Sequence, residues 1–260
     1  MRSEEQVVFV GAGPGDPELI TVKGLKALQA ADLVIYAGSL VNKALLAELK
    51  PGAEAHDSAP LTLEQVIALM TEAVAAGRRV VRLHTGDPAV YGAIQEQMEA
   101  LDALGIGYRV IPGVTAAFAA AASLKQELTL PEVSQTVVLT RVEGRTPVPE
   151  KERLQRIASL GATVALYLSV SMMDKVVAEL LAGGVYTTRT PAAVVSKASW
   201  EDERIVEGTL GDIAEKIKEA GISRQALILV GEVLGAREKG VPEKSKLYDK
   251  EFFHGFRIKA

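Results

Sequence analysis

The strongest constraint on this chain is a repeated alternation of short apolar runs with amphipathic stretches. Residues 7–10 are apolar and end in a glycine-rich loop. Residues 21–31 then carry Val22, Leu25 and Leu28 at helical spacing. A second apolar run spans 33–36, and residues 63–75 set Val66, Ile67, Met70 and Val74 on one helical face, stopped by Gly77. A strand over 79–83, a helix over 92–104, a strand over 108–111 and an alanine-rich helix over 115–123 follow. Strands that alternate with helices predict a largely parallel sheet with helices packed on it. The alternation restarts after Leu130-Pro131-Glu132. Strands are expected at 136–140, 163–168, 192–196, 205–208 and 226–230, with helices at 149–159, 173–181 and 210–220. The expectation is an α/β fold of two domains, 1–131 and 132–234, with a ligand cleft between them and a charged tail over 235–260. There is no internal repeat.

Composition removes several classes of function. The chain has no cysteine, which excludes disulfides, thiolate metal sites and a cysteine nucleophile. Its three histidines, His56, His84 and His254, are too scattered to form a metal cluster, so no metal is expected. A net charge of −4 with 5% aromatic residues argues against nucleic acid as a partner. No run of uncharged apolar residues reaches membrane-spanning length, so no membrane partner is expected. The polar start Met1-Arg2-Ser3-Glu4-Glu5-Gln6 lacks a signal-peptide stretch, and the expected location is cytoplasmic.

Four segments carry the chemistry. The first is Gly11-Ala12-Gly13-Pro14-Gly15-Asp16-Pro17, which differs from the dinucleotide fingerprint Gly-x-Gly-x-x-Gly. Asp16 stands where the third glycine belongs, and Pro14 and Pro17 lack the N–H donors of a phosphate cradle. The loop therefore suits a ligand of positive or mixed charge better than NAD; its plain alternative is a tight turn without a ligand. The second is His84-Thr85-Gly86-Asp87-Pro88-Ala89-Val90-Tyr91-Gly92 at a strand end, where α/β sheets bind ligands. Asp87 and Tyr91 can bond a ligand there. Equally, Asp87 can cap the next helix and His84 can be a buried strand-end residue. The third, Pro112-Gly113-Val114-Thr115-Ala116-Ala117, has small residues at a strand-to-helix junction, with Thr115 able to cap the helix or donate to a ligand. The fourth, 139–150, holds Arg141, Glu143 and Arg145. Arginine forks match carboxylates, while a Glu–Arg pair inside a solvated loop is the alternative.

Taken in order, these segments resemble the tetrapyrrole (corrin/porphyrin) methyltransferase family over roughly residues 7–234. The opening signature runs Gly11-Ala12-Gly13-Pro14-Gly15-Asp16-Pro17-Glu18-Leu19-Ile20-Thr21. Later marks are Gly86-Asp87-Pro88, Pro112-Gly113-Val114-Thr115 and Ala226-Leu227-Ile228-Leu229-Val230-Gly231-Glu232. Within the family, the match is closest to the branch acting at precorrin-4. Its marks are residues 19–24, 36–41 and 84–93, the most discriminating segment 139–150, and Lys197-Ala198-Ser199-Trp200.

The resemblance implies two αβα domains, usually as a homodimer, and methylation of C(11) of precorrin-4 or its cobalt form by S-adenosylmethionine, with S-adenosylhomocysteine as product. It implies cofactor contacts from Pro14, Thr85, Gly86, Asp87, Val90, Thr115, Ala116, Leu168, Ala198, Ala226 and Leu227. A tetrapyrrole rich in carboxylates needs local cations on an acidic protein, and Arg141, Arg145 and Lys197 are the candidates. No protein nucleophile is required. His84, Tyr91 and Glu143 are the candidates for a base, and none is singled out. The rival readings are another methylation such as that of uroporphyrinogen-III, an NAD-dependent oxidoreductase and a non-catalytic binding module. Residues 139–150 weigh against the first, and Asp16 with its flanking prolines against the second.

Overall fold

The computed structural model describes residues 5–239; residues 1–4 and 240–260, and with them His254 and most of the expected charged tail, lie outside the described residues. The chain divides into two compact units. One contains the residues up to Ala119 together with Lys197–Asp202, the other Ala120–Ser196 and the chain from Glu203 onward.

The first unit holds β1 (Glu5–Gly11), α1 (Val22–Ala30), β2 (Leu33–Tyr36), β3 (Glu54–Asp57), α2 (Leu63–Ala75), β4 (Val80–His84), α3 (Gln95–Ala103), β5 (Gly107–Ile111) and the start of α4 (Ala116–Ser123). Its five strands are all parallel, in the order β3-β2-β4-β1-β5. Successive strand residues face opposite sides. Val8 and Val10 of β1 therefore meet Leu28 of α1, whereas Val7 and Phe9 meet Val66 and Met70 of α2 and Leu101 of α3. Both faces are covered, as a parallel sheet requires. The chain leaves β1 toward β2 through α1 and leaves β4 toward β5 through α3, on opposite faces. The neighbouring carboxyl ends of β1 and β4 are thus the switch point of the sheet, where such folds leave a crevice for ligands.

The second unit holds the end of α4, then β6 (Val137–Thr140), α5 (Leu154–Ala158), β7 (Thr163–Leu166), α6 (Met173–Ala182), β8 (Pro191–Ser196), β9 (Arg204–Thr209), α7 (Ile213–Glu219), β10 (Ala226–Val230) and α8 (Ala236–Lys239). Strand order is β6-β7-β10-β8-β9. Val164, Leu166, Val194, Ile228 and Val230 form a core with Leu154 of α5, Val176 and Leu180 of α6, and Ile213 and Ile217 of α7.

Four details depart from the sequence reading. The second sheet is mixed: β6 and β7 are parallel, but β10 runs antiparallel to β7 and β8, and β9 antiparallel to β8. One reversal explains this. The connection over 197–203 contains no helix, and a strand that returns without a crossover must run antiparallel. β3 carries no apolar alternation; it is an exposed edge strand held to β2 by backbone pairing, so periodicity is silent there. The expected helix at 92–104 begins only at Gln95, because Tyr91 and Ala93 have φ of 55° and 47°. The expected helix at 149–159 is split into a 3-10 turn, Glu150–Glu152, and α5 by the extended Arg153.

Asp32 ties the amino ends of β2, β3 and β4. Its carboxylate pairs with Lys50 and accepts the Arg79 N–H at 2.7 Å. Its carbonyl accepts from Arg78 at 2.8 Å and from the Glu54 N–H at 3.0 Å. The Lys50 bond, then the Arg79 N–H, hold the Asp32 carboxyl at about 2, below its ordinary 3.8. A carboxylate lowered in this way stabilises the fold above its unfolded pKa and loses that effect as pH falls through its folded one. Asp32→Asn should cost roughly 1 kcal/mol at neutral pH, because the side chain is partly exposed and screened. In thermal unfolding, the gap between parent and variant should close as pH drops from about 4 toward about 2.

Candidate active site

At the switch point three loops of the first unit meet backbone to backbone. The Ala12 N–H donates to the His84 carbonyl at 2.7 Å, the Gly86 N–H to the Gly13 carbonyl at 2.8 Å, and the Gly13 N–H to the Gly86 carbonyl at 3.3 Å. Gly13 and Gly86 adopt φ of +82° and +58°, which favours glycine. A Cβ on Gly11 would lie 2.6 Å from the backbone of Gly113 and from the Gly86 carbonyl oxygen; one on Gly113 would lie 2.1 Å from that same oxygen. Only glycines permit this approach. On its other side, Gly86 has Thr115 Cα and Ala116 N nearly 4 Å from where a Cβ would stand. Pro14, Gly86, Asp87, Thr115 and Ala116 are thus brought into one cluster of loops.

Asp87 staples that cluster. One carboxylate oxygen accepts the Ala89 N–H at 2.8 Å and the other the Gly113 N–H at 2.9 Å. Asp87 does not cap the next helix, which begins at Gln95 without a side-chain cap; it closes the turn after Gly86, and the same side chain also bonds the neighbouring loop. Asp16 has a related role: its Oδ1 accepts the Glu18 N–H at 2.8 Å and caps the 3-10 turn Pro17–Leu19.

The first loop is further locked by the segment Lys197–Asp202. Trp200 Nε1 donates to the Pro14 carbonyl at 2.9 Å, Ser199 Oγ accepts the Asp16 N–H at 3.0 Å, and Asn42 Nδ2 donates to the Gly15 carbonyl at 3.0 Å. A Cβ on Gly15 would fall 2.1 Å from the Trp200 ring. The N–H groups of Ala12, Gly13 and Asp16 are consequently taken. A diphosphate would need those donors, so the loop is not a phosphate cradle. Within this segment Ala198 is buried, and the Lys197 amine is paired with Asp202.

Behind these loops lies a buried polar group. Arg82, 7% exposed, donates to the Ile35 carbonyl at 3.0 Å and to Gln97 Oε1 at 3.1 Å, and Gln97 Nε2 donates to the Ala93 carbonyl at 2.8 Å. The guanidinium thereby reaches the left-handed turn that carries Tyr91, itself about half exposed. Burial lowers Arg82 to about 10, still a cation. His84 lies two residues along, 3% exposed, near the Phe9 ring and without a partner for Nε2. Burial, then the Arg82 charge, lower it to about 3, so its ring is neutral near pH 7. Thr85 and Val90 are half-buried.

The second unit gathers its candidates at one edge of its sheet. β6 and β7 end there at Thr140 and Leu166, and β8 ends at Ser196, which pairs with Ala226 at the start of β10. Leu168 presents an apolar side chain, 68% exposed, from a left-handed turn with φ of 52°. The Val142 N–H donates to Ser169 Oγ at 2.9 Å, which ties the Arg141 loop to that turn. Arg141 does not pair with Glu143. It donates to the carbonyls of Thr146 and Pro147 at 3.1 and 2.7 Å, while the Glu143 carbonyl accepts from Lys175 at 2.7 Å. Arg145 is exposed, and Leu227 is buried in β10.

Sequence reasoning passed over Arg82, Gln97 and Asn42, whose parts depend on distant partners. Trp200 offered a signal, being the single tryptophan of the chain within a polar run. Among the described residues no group of three or more His, Asp or Glu is placed to hold a metal ion, and no helix is long and apolar enough to cross a membrane.

Comparisons with known proteins give the family and the fold. The profile of the family Tetrapyrrole (Corrin/Porphyrin) Methylases matches residues 6–214. The cobalt-precorrin-4 C(11)-methyltransferase of Methanocaldococcus jannaschii is 58% identical over 257 residues, covering 99% of this chain and 98% of that protein. The crystal structure of a cobalamin biosynthetic enzyme, the cobalt precorrin-4 methyltransferase CbiF, superposes with a TM-score of 0.85 at 51% identity, covering 88% of this chain and 95% of that one. The uroporphyrin-III C-methyl transferase of Thermus thermophilus, complexed with S-adenosylhomocysteine, superposes with a TM-score of 0.73 at 30% identity, over 88% and 93%. By sequence over most of its length and by the fold of both units, this chain belongs to the tetrapyrrole (corrin/porphyrin) methylase family.

Proposed function

We propose that this chain transfers a methyl group from S-adenosylmethionine to C(11) of precorrin-4 or cobalt-precorrin-4, giving the corresponding precorrin-5 in cobalamin biosynthesis. The observation that carries the reading is the match, at 58% identity over almost the whole chain, to a relative named for that reaction. The 139–150 segment supports the C(11) branch over uroporphyrinogen-III methylation. The same resemblance brings a homodimer and a cytoplasmic location into the proposal.

The residues present fit the cofactor. The first loop has no spare run of N–H donors for a phosphate and bears Asp16, while glycines and alanines leave room beside the backbone. When bound, S-adenosylmethionine supplies a methyl group already activated by its sulfonium. The chain's task is then chiefly alignment. Pro14, Thr85, Gly86, Asp87, Val90, Thr115, Ala116 and Ala198 are assigned as cofactor contacts in the first unit, and Leu168, Ala226 and Leu227 in the second. Asp87 acts by holding the second and third loops in register. Arg141, Arg145 and Lys197 are assigned to substrate carboxylates. His84 enters as a neutral, buried ring, and Tyr91 and Glu143 are the more exposed candidates for assisting proton loss.

The reaction is tested by incubating purified protein with S-adenosylmethionine and precorrin-4, with and without cobalt, and identifying the product by mass and carbon-13 labelling. Methyl transfer to C(11) is expected, with the higher kcat/KM marking the natural form of the substrate. Methylation at another carbon, or of uroporphyrinogen-III instead, overturns the assignment. Asp87→Ala should weaken S-adenosylhomocysteine binding by at least about tenfold, because two N–H groups of the loops lose a charged acceptor. Calorimetry checks this; an unchanged affinity would remove Asp87 from the pocket. Arg141→Ala should raise the tetrapyrrole KM several-fold, roughly the effect of one lost charge-assisted contact, and leave S-adenosylhomocysteine affinity as in the parent. Equal losses of both would count against a substrate role.

A further inference from the structure

A second concentration of charge lies in the first unit, apart from the three loops. Along α1 runs a cavity of about 340 Å³ lined by Lys23, Lys26, Arg79 and Arg109, with Glu5 as its one carboxylate. None of its lining residues belongs to the loops at 11–17, 85–94 or 112–117. Lys23, Lys26, Ala27 and Ala30 follow the i, i+3, i+4, i+7 spacing of a single helical stripe. Arg109 stands opposite them. It is in register with Val8 of β1, which is in register with Val81 of β4, and both valines belong to the apolar cluster under α1. The edge strand β5 therefore puts a guanidinium where its two neighbours put apolar side chains.

These cations are poorly compensated. Arg109 reaches Glu5 at 3.3 Å, and Arg79 reaches Asp32 at 3.7 Å, where Lys50 already pairs. Lys23 and Lys26 have no ion-pair or hydrogen-bond partner among the described residues, and Arg109 Nε is buried without an acceptor. An inward charge on an edge strand also discourages edge-to-edge pairing. That role needs Arg109 alone; it does not call for two lysines on the facing helix. Four cations around a concave surface, on a chain of net charge −4, focus a positive potential there. The volume is that of a small-ligand site.

We propose that this groove binds a compact multivalent oxyanion, of diphosphate or tricarboxylate chemistry, with Arg109 as its forked anchor and Lys23 and Lys26 closing over it from α1. The test is calorimetric titration of the full chain at low ionic strength, first with inorganic pyrophosphate and then with citrate. Saturable binding of at least one anion is expected, weakened roughly tenfold or more by Arg109→Gln and by Lys26→Ala, each of which removes a charged donor. Pyrophosphate binding alone identifies a phosphate ligand, and citrate binding alone a polycarboxylate. Lys26 is exposed, so its variant keeps the test valid even if Arg109→Gln destabilises the strand. No saturable binding of either anion overturns the proposal, and so does binding that both variants leave unchanged, which would place the anion elsewhere.

Discussion

The candidate site depends on a close approach of three backbones. Gly11, Gly86 and Gly113 come from loops far apart in sequence, yet any side-chain carbon on Gly11 or Gly113 would strike its neighbours. The parallel sheet makes this approach possible by bringing the carboxyl ends of β1, β4 and β5 side by side. The hydrogen bonds between Gly13 and Gly86, and the Asp87 carboxylate across Ala89 and Gly113, then set the spacing. Because these contacts use backbone donors, they also decide which ligand the loops can accept. Donors already engaged are not available to a phosphate.

A less expected element is the buried cation behind the loops. Burying a charge without an opposite charge is costly. Arg82 offsets part of that cost through neutral acceptors: the Ile35 carbonyl and the Gln97 amide oxygen. Through Gln97 the same network holds the Ala93 carbonyl, and so the left-handed turn containing Tyr91. The Arg82 charge and burial together keep His84 neutral. His84, which the sequence left open between a base and a buried strand-end residue, is packed and uncharged near neutral pH.

Much of the fold was legible because local patterns carried it. The runs at 7–10, 33–36 and 79–83 and the amphipathic face of α2 mark their elements by composition and period alone. β3 was not legible, since Glu54–Asp57 has no apolar alternation and owes its extension to β2. The candidate loops were recognisable by their glycines and prolines and by their place after apolar runs. The roles within them were less so. Asp87 could be read as cap or ligand contact, and only the fold shows its second bond to Gly113. Arg141 could be read as half of an ion pair, and the fold turns it onto the carbonyls of Thr146 and Pro147.

By itself, then, the sequence determined the succession of strands and helices except β3, the three glycine loops at strand ends and the family to which the chain belongs, because each is written in residues that lie close together. Tertiary structure alone decided the strand order that makes β1 and β4 neighbours, the single reversal that turns the second sheet from parallel to mixed, and the return of Ser199 and Trp200 to lock the first loop. These features join residues up to 186 positions apart. No local period encodes such pairings; they arise when two sheets bury their faces and the backbone must satisfy its remaining hydrogen bonds.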